Sequence, residues 1–227
     1  MGKRDEARAH TIDRILTAAR GEIARVGGVG LSMRSVAREA GMVSSAIYRY
    51  FPSREDLLTA MILESYRGLA GVLRHAETSH ESADSDAERW SGLAGALRDW
   101  GLRAPHEFQL IYGTPIPGYV APAETIPAAG EVAAPFLGCP GTRRVPGFEP
   151  STGTSGLHAL ADDVGITPSA AAAVVAAISE LVGFVGLELA GHFVGLADPA
   201  DELYAAVAQR QVRDLGLDQP RGRSALP

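Results

Sequence analysis

The sequence predicts an all-α protein, with a small three-helix unit at the N-terminus and a larger helical body behind it. Three features point there. Apolar residues recur at three- and four-residue steps through most of the chain, the period of one helix face. Glycines and prolines fall between those stretches, where helices must stop. No stretch alternates apolar and polar residues as a half-buried strand does, and no internal repeat is present. The 227 residues, 46% of them hydrophobic, suffice for one large domain or for a small one joined to a medium one.

The elements follow in order. Ile12, Ile15, Leu16, Ala19, Ile23 and Val26 predict a first helix over residues 9–26, stopped by the glycines of 27–30. Ser32 is placed to cap a short second helix that turns Met33, Val36, Ala37 and Ala40 inward. Gly41 ends that helix in a tight turn, and a third short helix is expected over residues 44–50. Pro52 breaks it. Ser53 caps a fourth helix, with Asp56 three residues on as a capping box requires. Residues 76–89 are polar and read as a loop or a frayed helix end. Trp90, Leu93, Leu97 and Trp100 mark another helix, and Pro105 opens a shorter one. Residues 113–156 are rich in glycine and proline. A broken helix is expected within them, 138–156 read as a mobile loop, and a pocket gate could open in the 113–156 region that Tyr119 and Phe136 border. Thr167 and Pro168 open a long apolar helix to about residue 194. Asp198 and Pro199 open a last one to about 215, before a polar tail expected to be disordered.

Charge is divided unevenly. The chain carries a net −6. Residues 1–54 hold ten Lys/Arg against five Asp/Glu, and residues 55–227 hold eleven against twenty-two. A basic head on an acidic body suggests a polyanionic partner for the head. The single cysteine, Cys139, excludes a disulfide framework and a multi-cysteine metal site. The N-terminus shows no apolar signal-peptide core. The most apolar stretch, near 170–197, is long enough to span a bilayer. Glu180, Glu188 and His192 interrupt it, however, so it reads as a core or interface helix of a soluble, cytoplasmic protein.

Two short helices joined at Gly41 form a helix-turn-helix, whose second helix enters the major groove of DNA. The residues suit that place. Ser44, Ser45 and Ala46 are small and let the backbone approach base edges. Tyr48, Arg49 and Tyr50 offer donors to phosphates. Ile47 and Phe51, four apart, pack backward. Ser53 and Arg54 open a helix whose first amides can meet a phosphate, and the Arg54 side chain is a candidate to neutralise one.

The stretch "LSMRSVAREAGMVSSAIYRYFPSREDLL" resembles the DNA-binding region of the TetR (tetracycline-repressor) family of bacterial transcription regulators. The shared frame is Ser32, Val36, Ala37, Ala40, Gly41, Ala46, Tyr48, Phe51 and Leu57. Family members often carry Val-Ser and then a long polar residue after the glycine. Here Met42-Val43 and Ser44 stand instead, which leaves Arg34 as the alternative reader of guanine. The resemblance implies a DNA-binding domain over residues 1–55 and a helical ligand-binding and dimerisation domain over 56–227. Parts of residues 90–195 also resemble a C-terminal subfamily named for a Trp-His-Gly signature. Of that signature Gly183 is kept, with Ile178 and Val182 in the places of the other two.

In the body, Trp100, Phe108, Tyr112, Tyr119, Phe136 and Phe184 are candidates to line a pocket for a small hydrophobic or amphipathic effector, core packing being the alternative for each alone. Glu188 and His192 lie four apart on an apolar helix. Two ligands make no metal site, so they read as a hydrogen-bonded pair or an effector contact. The last two helices are expected to form a homodimer, matching a palindromic operator. No nucleophile motif, phosphate loop or metal cluster is present, so neither an enzyme nor a cofactor is expected. A scaffold that dimerises without a ligand is the competing reading, and an enzyme fused to a DNA-binding head is a more distant one.

Overall fold

The computed structural model describes residues 2–79, 85–149 and 155–219. The described residues form ten α-helices and no strand. They divide into two compact units. One comprises residues 1–68 and 104–128, the other 69–103 and 129–227. The boundary expected at residue 55 separates the DNA-binding role from the ligand-binding one. By contact, residues 104–128 group with the N-terminal helices.

The first unit is built on α1 (Lys3–Val26), α2 (Met33–Glu39), α3 (Ser44–Ile47), the first part of α4 (Arg54–Ser79) and α6 (Pro105–Tyr112). Helix α1 begins six residues before the apolar stripe demands it. Its first turns are exposed, and the Gly2 amide donates to the Asp5 carboxylate at 3.2 Å. Ile15, Leu16, Ala19 and Ile23 then bury one face against Val36, Ala37, Ile47, Phe51, Leu57 and Leu58. Ile47 is fully buried and Phe51 nearly so, which roots the third helix in this core. Polar links reinforce the packing. Arg20 bridges Glu64 of α4 (2.6 Å) and Glu107 of α6 (3.2 Å). Glu22 accepts from Arg25 at 2.6 Å and from the Ser35 hydroxyl at 3.0 Å, joining α1 to α2. The Arg25 hydrogen bond, more than any other influence, holds the Glu22 carboxyl below its ordinary range.

The second unit contains the rest of α4, α5 (Asp86–Arg103), most of α7 (Thr125–Leu137), α8 (Ser155–Val164), α9 (Pro168–Leu189) and α10 (Asp201–Asp214). Trp90, Leu93, Leu97 and Trp100 of α5 are buried as their spacing predicts. The Trp90 indole donates to Gln211 at 3.2 Å and meets Phe136 edge-on at 5.2 Å. Arg98, with a side chain 9% exposed, donates twice to Glu188 (2.7 and 2.8 Å) and once to Asp201 (3.0 Å). That fork ties the end of α9 and the start of α10 to α5. Arg143 binds Asp86 at 2.9 Å and the Gln219 carbonyl at 2.9 Å, which anchors the segment after α7.

Three expectations change. Helix α8 lies where no helix was read. Helix α9 stops at Leu189 rather than near 194, because Gly191 takes a φ of +76° and the amides of Gly191 and His192 close back on Glu188 and Leu187. The segment 125–137 is one helix with Pro135 inside, not a broken one. Part of the stretch read as a mobile loop (150–154) and the tail from 220 onward lie outside the described residues. Helix α9 is, among the described residues, the one helix long and apolar enough to cross a membrane by length and composition, and it packs in part against α5, α8 and α10.

Candidate nucleic-acid interface

The site starts from the turn at Gly41. Its φ of +67° lies in the left-handed region that favours glycine. The Gly41 amide donates to the Arg38 carbonyl (3.1 Å) and the Met42 amide to Ala37 (2.8 Å), which closes the end of α2 and redirects the chain. Ser32 caps the other end of α2, its hydroxyl accepting from the Ser35 amide at 3.5 Å.

Helix α3 is one turn long. Val43 stands at its cap and supplies no side-chain hydrogen bond. The helix was expected to reach residue 50. Instead, the amides of Arg49 and Tyr50 close three residues back on Ala46 and Ile47, and Pro52 forces the residue before it out of the helix. Ile47 and Phe51 face the core, so Ser44, Ser45, Tyr48 and Arg49 are exposed, with Ala46 and Tyr50 half-buried. Arg34 of α2 is exposed too. Two further residues stand at this edge. Val43 is 71% exposed immediately before Ser44, offering an apolar surface beside the hydroxyls. Arg8 of α1 lies over the Tyr50 ring, 5.2 Å from its centre, and adds a cation to this edge. Spacing could have flagged Val43. Nothing in the sequence could have placed Arg8.

Helix α4 begins with a complete capping box. The Ser53 amide donates to Asp56 at 2.9 Å and the Asp56 amide to the Ser53 hydroxyl at 3.0 Å. Arg54 differs from expectation. Its Nε donates to the Leu31 carbonyl (3.0 Å), and one terminal nitrogen donates to Gly28 (2.7 Å) and Val29 (3.0 Å). The guanidinium expected on a phosphate is thus engaged within the head.

The expected effector residues divide between the two units. Phe108, Tyr112 and Tyr119 belong to the first unit. There Phe108 and Tyr112 stack at 5.2 Å, Tyr112 meets Tyr66 edge-on at 6.3 Å, and the Tyr119 hydroxyl pairs with Thr59 at 2.9 Å. Burial raises the Tyr112 phenol well above its ordinary value. Trp100, Phe136 and Phe184 belong to the second unit. Phe136 packs on Trp90, and Phe184 packs on Phe193 and Tyr204. Glu188 pairs with Arg98 rather than His192, which lies exposed past the helix end. A groove of about 600 Å³ between α5 and α10, with Glu88, Ser91, Gln209 and Arg213 on its walls, includes none of the expected residues. Among the described residues, no three His, Cys, Asp or Glu side chains are grouped to hold a metal.

Two helices locked at a glycine turn, the second rooted by Ile47 and exposing hydroxyls, phenols and an arginine, define a helix-turn-helix protein. Comparison with known proteins gives the family. The model of bacterial regulatory proteins of the tetR family matches residues 15–61, and the model of the tetracyclin repressor-like C-terminal domain matches residues 90–211. The chain belongs to the TetR family of bacterial transcription regulators. It is 38% identical over 142 residues to the HTH-type transcriptional regulator Rv1816 of Mycobacterium tuberculosis (strain H37Rv). That match covers 60% of this chain, and the chain spans 58% of the length of that relative. The crystal structure of regulatory protein SCO4313 is similar, with 32% identity and a TM-score of 0.78 over 93% of this chain and all of that one. RolR, solved in complex with resorcinol, shares the fold at 18% identity, with a TM-score of 0.54 over 96% of this chain and 98% of its own.

Proposed function

We propose that the chain is a homodimeric, ligand-responsive DNA-binding regulator, a repressor released from a palindromic operator by a small hydrophobic or amphipathic effector. One observation carries the reading: α3 fastens to the core through Ile47 while Ser44, Ser45, Tyr48 and Arg49 face outward. In this proposal Ser44, Ser45 and Ala46 meet base edges, with Arg34 as a guanine reader. Tyr48, Arg49 and Tyr50 bond phosphates, while Ser32 and the backbone amides at the start of α4, at Ser53 and Arg54, set α2 and α4 against the DNA backbone. The division of roles is DNA binding in 1–55 and ligand binding with dimerisation in 56–227.

The dimer is assigned to α9 and α10. Val175, Leu187 and Leu203 are 40%, 48% and 44% exposed there, beside small residues that permit close helix approach. A two-fold pair of heads is what a palindrome requires. RolR in complex with resorcinol supports a small-molecule effector for a regulator of this fold. The candidate contacts are Phe108, Tyr112 and Tyr119 in the first unit and Trp100, Phe136, Phe184, Glu188 and His192 in the second. Ligand and DNA then favour different spacings of the two heads, so each weakens the other equally. Helix α4, which contributes to both units, is the lever. The likeness to the Trp-His-Gly subfamily, a cytoplasmic location and the lack of catalysis belong to the same reading.

The test is selection of bound fragments from random-sequence DNA, followed by a small-molecule screen on the recovered operator. A palindrome with two half-sites, bound by a dimer and released by a compound that binds the protein, is expected. Failure to enrich any sequence would overturn DNA reading. An effector-free operator complex, unchanged across the screen, would favour the dimeric scaffold without a ligand.

A further inference from the structure

We infer that Arg54 is a positioning residue for the recognition helix, acting through the 28–31 turn, and not a phosphate ligand; the inference rests on the DNA-reading role proposed above. Three of its five N–H groups lie on Nε and one terminal nitrogen. These point at the Leu31, Gly28 and Val29 carbonyls, at 3.0, 2.7 and 3.0 Å. The remaining nitrogen stands 4.0 Å from the Glu55 carboxylate. The side chain is only 25% exposed.

The turn it grips matters by position. It joins α1 to α2, and its own closing bond, from the Leu31 amide to the Gly28 carbonyl, is long at 3.4 Å. The Leu31 side chain is buried, and its carbonyl belongs to the peptide that leads into Ser32, the cap of α2. Holding that peptide fixes where α2 starts. The turn at Gly41 then passes the placement on to α3. The other side of the turn is seated by Ile116, close enough that a Cβ on Gly28 would stand 2.7 Å from its terminal methyl. Arg54 itself is held by α4, whose first turn is fixed by the Ser53–Asp56 box.

A planar guanidinium reaches three carbonyls from one edge, whereas a lysine ammonium presents its donors from a single point and cannot span them. The two roles therefore separate on Arg54→Lys. For a phosphate ligand, lysine serves nearly as well and a neutral residue lowers the salt slope by about 1 per subunit. For a positioning residue, lysine fails much as a neutral residue does, and the slope stays.

The experiment compares wild type, Arg54→Lys and Arg54→Gln in two assays. The first is affinity for the operator selected from random DNA by the wild-type protein, at several salt concentrations. The second is amide hydrogen exchange over residues 27–36 without DNA. Both variants are expected to bind on the order of tenfold more weakly, with an unchanged salt slope and faster exchange around residue 31 and the start of α2. Arg54→Lys behaving as wild type while Arg54→Gln loses about one unit of slope would overturn the inference. So would unchanged exchange in both variants. If Arg54→Gln does not fold, the lysine variant alone decides between the two. If wild type selects no DNA, the DNA-reading role has failed separately, and the exchange assay still tests the grip on the turn.

Discussion

Replacing Arg98 by methionine should destabilise the second unit by about 3 kcal/mol. The side chain is 9% exposed and holds Glu188, itself 16% exposed, through two charge-assisted hydrogen bonds of 2.7 and 2.8 Å. Methionine keeps the unbranched stem but removes the charge. Glu188 is then a carboxylate in a largely dry site with no counter-ion, and removing one partner from a buried pair costs about 3–5 kcal/mol. The contact with Asp201 adds little, since that carboxylate is 65% exposed and water screens the pair. Stacking over Tyr204, at 5.4 Å, adds about 0.5–1 kcal/mol. Residual water at Glu188 argues for the lower end of the range. Urea unfolding at pH 7 and fixed protein concentration, followed by fluorescence, reads this directly, because both tryptophans of the chain lie in the second unit. With a urea dependence of about 1–3 kcal/mol per molar, the midpoint should fall by about 1 M or more. Adding Glu188→Gln to Arg98→Met should recover part of the loss, since no buried charge is then stranded. A loss below about 1 kcal/mol, or no recovery in the double variant, would show that water reaches Glu188 and that the pair is not a buried one.

Three other outcomes follow from the geometry. Ser44→Ala should relax base preference at one position per half-site at a cost of about 1 kcal/mol, whereas Tyr48→Phe should weaken cognate and scrambled DNA alike; measured on single-base operator variants, the opposite pattern would mean that α3 is turned the other way in the groove. Gly30→Ala should lower the thermal midpoint, by about 1–3 kcal/mol of stability, because the new Cβ would stand 2.7 Å from the Val26 carbonyl oxygen, a backbone atom that cannot swing aside; an unchanged midpoint would refute that close approach. The Asp201 carboxyl is held below its ordinary 3.8, first by the Arg98 hydrogen bond, so its contribution is fully present above that value and disappears as pH falls through the lower folded-state value; NMR titration should find the Asp201 midpoint returned toward 3.8 in Arg98→Met, and no change would assign the shift to another cause.

Much of the head was legible because its determinants are local. A hydroxyl three residues before an acid announces a capping box, and the Ser53–Asp56 pair forms one. Four-residue spacing put Ile47 and Phe51 on one side of a short helix, and both are buried. What was missed depends on partners far away in the chain. Arg54 at a helix start reads as a phosphate ligand until carbonyls 23 to 26 residues earlier are brought beside it. Glu188 and His192 share a helical spacing, yet the partner that claims Glu188 comes from ninety residues away. Helix α9 was overrun because Phe193 and Val194 prolong the apolar pattern past the glycine that ends it. Helix α8 went unread because Leu157, Leu160 and Ala161 are a thin stripe beside a glycine-rich stretch, and only Ala161 is fully buried.

The brevity of α3 has a consequence for how such a chain can change over evolutionary time. Its attachment rests on Ile47 and the following Phe51, while the side chains at 44, 45, 48 and 49 stand outside the core. Substitutions at those four places leave the packing that holds the helix untouched, so under the proposed roles base preference set at 44 and 45, and overall grip set at 48 and 49, can drift without loss of folding. A library randomised at these positions should therefore express as folded protein nearly throughout, and new half-site preferences should be recoverable from it by changing the outward face alone.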